Sequence, residues 1–87
     1  MGSADSTANE ISAQVSLYPL RQPTLTPVIQ EVVALLEQSG LRVEPGRMST
    51  LVVGEENVVF SALQEAFRRA AVHGDIVMQV ALSNGCP

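Results

Sequence analysis

Between Gln14 and Tyr18 every second residue carries a hydrogen-bonding group: an amide at Gln14, a hydroxyl at Ser16 and a phenol at Tyr18. In an extended chain that spacing sends all three to one side. Ser49 and Thr50 add two hydroxyls, and Gln79 adds a second amide. Together these residues offer donors, acceptors and one aromatic plane, the groups with which a protein reads a small planar molecule. Catalysis asks for more. A nucleophile needs a base beside it, and the only histidine, His73, stands just before Gly74, where a helix ends and a cationic side chain suits the helix dipole. The loop around Arg21, from Tyr18 to Pro23, holds two prolines and no glycine, so it lacks the backbone donors of a phosphate cradle. No catalytic residue is expected. Cys86 is the only thiol, which leaves neither a disulfide within the chain nor a zinc site, and no metal or other cofactor is expected.

The elements that position these groups follow from periodicity. Ile11, Ala13, Val15 and Leu17 alternate with Ser12, Gln14, Ser16 and Tyr18, which predicts a strand with one apolar and one polar face, stopped at Pro19. Thr26-Pro27 offers a capping hydroxyl and a proline at the first helical position. Val28, Val32, Leu35 and Leu36 then recur at helical spacing, with Ile29 widening the stripe, so a helix is expected from Pro27 to Ser39 before Gly40. Two extended pieces, 41–44 and 47–53, flank Pro45-Gly46 and read as a hairpin. Gly54 is expected to break the second of them, with Asn57 capping a helix over 58–72 whose apolar positions include Phe60, Leu63, Phe67 and Ala70. A last strand spans 75–82, with Ile76, Met78, Val80 and Leu82 on one side and Val77, Gln79 and Ala81 on the other.

This order, βαββαβ, predicts an α+β ferredoxin-like sandwich: a four-stranded antiparallel sheet with two helices on one face. Residues 1–10 read as a disordered arm, 11–83 as a single ligand-binding domain and 84–87 as a loose tail. On the helix-free face Gln14, Ser16 and Tyr18 would neighbour Thr50, Ser49 and Gln79. Val52, Val77 and Ala81 on that face predict burial by another copy of the chain. A face that only meets water carries similar polar residues, so parity alone leaves a binding face and a solvated face both open.

Composition narrows the partners. Apolar residues make up 46% of the 87, in short bursts that argue for a packed core. The net charge is −4, lysine is absent and the five arginines form no run, so nucleic acid is a poor partner. An RNA-recognition domain would also need aromatics on the third strand, which has none. No apolar run is long enough to span a bilayer, and the first residues do not form a secretory signal, so neither a membrane association nor export is expected. With a single thiol, a cytoplasmic setting is expected.

The stretch Gln14-Val15-Ser16-Leu17-Tyr18-Pro19-Leu20, followed by Gly46-Arg47-Met48-Ser49-Thr50 ahead of Gly54, resembles the paired signatures of the thiamine/hydroxymethylpyrimidine-binding, YkoF-like proteins. The resemblance spans about Ile11 to Leu82. It implies a ferredoxin-like fold, non-enzymatic binding of thiamine or its hydroxymethylpyrimidine moiety, and association through the open sheet face into a homo-oligomer, dimer or tetramer. It also implies that Ser16, Tyr18, Ser49 and Thr50 are ligand-binding residues. Gln14 and Gln79 join them by strand parity. Some family members repeat the module within one chain, whereas this chain holds one copy. The reading from another class is a regulatory or structural oligomerisation module that binds nothing small.

Overall fold

The computed structural model describes residues 9–20, 26–46 and 49–85. Most of the arm, together with Arg21, Arg47, Met48 and Cys86, lies outside the described residues. The elements run β1 (Glu10–Pro19), α1 (Thr26–Gln38), β2 (Arg42–Pro45), β3 (Thr50–Glu55), α2 (Glu56–Ala71) and β4 (Ile76–Ser83). The strands form one sheet in the order β2-β3-β1-β4, and every neighbouring pair is antiparallel. This is the ferredoxin-like α+β arrangement that the sequence predicts.

Alternation in β1 decides which face is packed. Ala13 and Val15 are buried, Ile11 and Leu17 pack against the core, and the helices bring Val28, Val32, Leu36, Val59, Leu63 and Ala66 onto the same face. On β4 the expected parity holds in the register, since Val15 pairs with Val80 and Leu17 with Met78, while Ser16 pairs with Gln79 and Tyr18 with Val77.

The parity of β3 is the reverse of the expected one. Val15 pairs with Thr50 and Ala13 with Val52, which puts Thr50 and Val52 on the helix-covered face, and Val52 is fully buried. Gln14 and Ser12 instead pair with Leu51 and Val53, so these two carry β3's contribution to the open face. The run Leu51-Val52-Val53 is apolar throughout, and without alternation it gives no sign of which side faces in.

Gly54 does not end β3. It pairs with Ile11, and a side chain there would run into the Leu41 side chain, so glycine marks a close approach rather than a break. Leu41 precedes β2 and is buried. The cap of α2 is Glu55 rather than Asn57: the Val58 N–H donates to Glu55 Oε1 at 3.2 Å. A carboxylate at that position also meets the positive end of the helix.

Candidate functional site

The sheet order sets where a cleft can open. α1 covers the side of the sheet that carries β2, and the chain leaves β1 and enters β3 at the same end of the sheet. Among the described residues Val15–Thr50 is the last pair that joins β3 to β1 toward this end. A cleft of about 230 Å³ occupies this end, between the inner side of the sheet and α1. Its walls are apolar: Val15 and Leu17 from β1, and Ile29, Val32, Val33 and Leu36 from α1. Ser49 and Thr50 from the entry to β3, with Tyr18 at the end of β1, supply its side-chain polar groups among the described residues. No charged residue is among those described along it.

Local geometry holds the hydroxyl ledge in place. The Gly46 N–H donates to the Ser49 carbonyl at 2.8 Å, closing the hairpin between β2 and β3. A Cβ at Gly46 would lie 2.9 Å from that carbonyl oxygen, so the turn requires glycine. Ser49 and Thr50 are half-buried and Tyr18 is 46% exposed, so the two hydroxyl-bearing residues are more enclosed than the aromatic one. Such a site can hold a flat ring between aliphatic walls and read its edge with two hydroxyls, each of which both donates and accepts.

Of the six residues singled out in the sequence, Ser49 and Thr50 line this cleft, and Tyr18, whose register with Val77 places it on the helix-free side, borders it at the end of β1. Gln14, Ser16 and Gln79 belong to the opposite, helix-free face, where Ser16 pairs with Gln79 and Gln14 with Ala81. Two surfaces are therefore present where the sequence suggested one. The α1 wall is the part that sequence reasoning missed. Its signal was Ile29 and Val33, apolar positions beside the core stripe of Val28, Val32 and Leu36, with Ile29 still 39% exposed after folding.

Among the described residues two further recesses are more open. One, near 500 Å³, runs between the helices past Ser61 and Arg69. The other, near 570 Å³, lies between Phe60 of α2 and Leu82 of β4. The helices are also tied by a polar clasp: His73 Nε2 lies 2.8 Å from Glu31 Oε1, and Arg69 Nη1 donates to Glu31 Oε2 at 3.4 Å. The hydrogen bond from His73, followed by that from Arg69, holds the Glu31 carboxyl below its ordinary value of 4.5. His73 is thus a brace between α2 and α1, the helix that walls the cleft. Among the described residues no three histidine, cysteine or acidic side chains converge as a metal site would need, and no helix is long and apolar enough to cross a membrane.

The architecture recurs in solved structures. A hypothetical protein of Methanocaldococcus jannascii is similar with a TM-score of 0.79 and 21% identity, over 86% of this chain and 79% of that one. A protein of Streptococcus pneumoniae gives 0.79 and 23%, over 87% of each chain. A Thermotoga maritima protein, provisionally assigned to thiamine biosynthesis or salvage, gives 0.74 and 20%, over 84% of this chain and 81% of that one. At these identities the likeness speaks for the fold. No curated protein matches the chain. The model of the YKOF-related family matches residues 10–87, all of the ordered elements from β1 to β4, and the chain belongs to that family.

Proposed function

We propose that this protein binds thiamine or hydroxymethylpyrimidine, without catalysis, by taking the pyrimidine ring into the cleft between α1 and the sheet. The observation that carries the reading is the cleft itself, an apolar slot of about 230 Å³ with the hydroxyls of Ser49 and Thr50 on one wall. Pockets for drug-sized ligands span roughly 300–1,000 Å³, so this slot suits one ring rather than two. A neutral aminopyrimidine fits a cleft whose described walls carry no charge, and its edge of donors and acceptors suits the hydroxyls. The cationic thiazolium of thiamine would then project past Tyr18 toward solvent. Membership of the YKOF-related family and the likeness to a protein provisionally assigned to thiamine biosynthesis or salvage support the same ligand class. A carrier or sensor in the cytoplasm, assembled through the open sheet face, is the role that suits a site of this kind.

Isothermal titration with thiamine, hydroxymethylpyrimidine and the isolated thiazole tests this. Comparable binding of the first two and none of the third is expected. If neither pyrimidine ligand binds at millimolar concentration, the proposal fails and a purely structural oligomerisation module takes its place.

A further inference from the structure

The two edges of the sheet differ in kind. β2, at one edge, is four residues long and carries Arg42, Glu44 and Pro45. Short length, charge and proline are the features by which proteins keep an edge strand from pairing with another chain. β4, at the other edge, is eight residues long, Ile-Val-Met-Gln-Val-Ala-Leu-Ser, with no charge and no proline. Its core-side residues are also incompletely covered, since Val80 is 37% and Leu82 48% exposed. Phe60 of α2 shares a recess with Leu82 and is itself 47% exposed. A long, uncharged edge with exposed apolar groups beside it is a surface built to be paired.

We infer that β4 pairs antiparallel with β4 of a second copy, about a twofold axis at Gln79, joining two four-stranded sheets edge to edge. The sequence of the strand selects both occupant and register. With the axis at Gln79, Val80 lies opposite Met78 of the second copy, Leu82 opposite Ile76, and Val77 opposite Ala81, so apolar residues meet apolar residues on both faces and the two glutamine amides meet each other. Moving the axis to Val80 sets Gln79 against Ala81 and Ser83 against Val77, a poorer match. A foreign strand would have to reproduce this pattern, whereas β4 supplies it to itself. On the helix side this register sets Ile76 of the second copy beside Leu82, at the edge of the recess that Leu82 shares with Phe60, once at each end of the junction. The backbone edge used here borders the open sheet face, with which it shares Val77, Gln79 and Ala81, and is separate from the cleft, to which β4 contributes no described residue.

The test uses the full chain with Cys86→Ser to remove the native thiol. Val80→Cys and Met78→Cys proteins are oxidised mildly, alone and mixed. Directly opposed Cβ atoms lie about 4.5–5.5 Å apart and diagonal ones about 7–8 Å, so the mixture should yield a disulfide-linked dimer and either protein alone should not. In parallel, sedimentation of Leu82→Lys, a change at an exposed position, should halve the mass of the assembly while melting and thiamine binding stay as in the parent. Preferential cross-linking of either variant with itself, no cross-link in the mixture, or an unchanged mass for Leu82→Lys overturns the inference. Ligand titration of the same variants reads the cleft independently, so failure here and failure of the ligand proposal are told apart.

Discussion

Thr50 is paired with Val15 on the packed side of the sheet and lines a cleft whose walls are otherwise mostly aliphatic. A neutral hydrogen bond contributes about 0.5–1.5 kcal/mol net, so Thr50→Val, which keeps the shape, should weaken pyrimidine binding roughly two- to tenfold with little change in melting. Ser49→Ala should act in the same direction, and Ser61→Ala, in the groove between the helices, should not. Glu31 allows a second residue-scale prediction, on pH. Its folded value lies below 4.5 because of the hydrogen bonds from His73 and Arg69, so it binds fewer protons folded than unfolded in the acidic range. Its contribution is present above pH 4.5 and fades as the pH falls through the lowered value. Thermal melts should therefore show Glu31→Gln less stable than the parent at neutral pH, with the two converging in acid. A difference that grows on acidification would contradict the clasp.

At the scale of elements, the junction of β3 and α2 carries two opposite demands, a strand that must approach Leu41 closely and a helix that must begin at once. Gly54 meets the first and Glu55 the second. Gly54→Ala forces the buried Leu41 side chain to move and should cost about 1 kcal/mol. Glu55→Ala leaves the Val58 N–H without its carboxylate and should cost about 0.5–2 kcal/mol. For a domain of this size each kcal/mol lowers the melting temperature by about 4–8 °C, readily seen by circular dichroism. The same junction shows where sequence reading stops. β1 was legible because its polar and apolar residues alternate strictly, and both helices because their stripes recur at three and four. β3 was not, because Leu51, Val52 and Val53 are all apolar and pairing with β1 alone fixes which of them turns inward. That one-residue ambiguity moved Thr50 from the open face to the cleft. Glycine at position 54 likewise looks the same in sequence whether it ends a strand or admits a neighbour.

For the whole molecule, the polar residues chosen from sequence divide between two surfaces with different tasks. The open face combines Ser12, Gln14, Ser16 and Gln79 with half-buried Leu51 and Val53 and exposed Val77 and Ala81. This mixture, polar but laced with aliphatic groups, suits contact between copies. Val53→Lys, near the middle of that face and away from β4, should lower the sedimenting mass at micromolar concentration, and an unchanged mass would count against the face as an interface. The cleft suits the ligand, and separating the two surfaces is the central claim. Calorimetric titration of hydroxymethylpyrimidine into Thr50→Val and Ser16→Ala, compared with the parent, tests it most directly. Thr50→Val should bind two- to tenfold more weakly and Ser16→Ala with the parental Kd. The reverse result, with Ser16→Ala weakened and Thr50→Val unchanged, would place the ligand on the open face and contradict that claim.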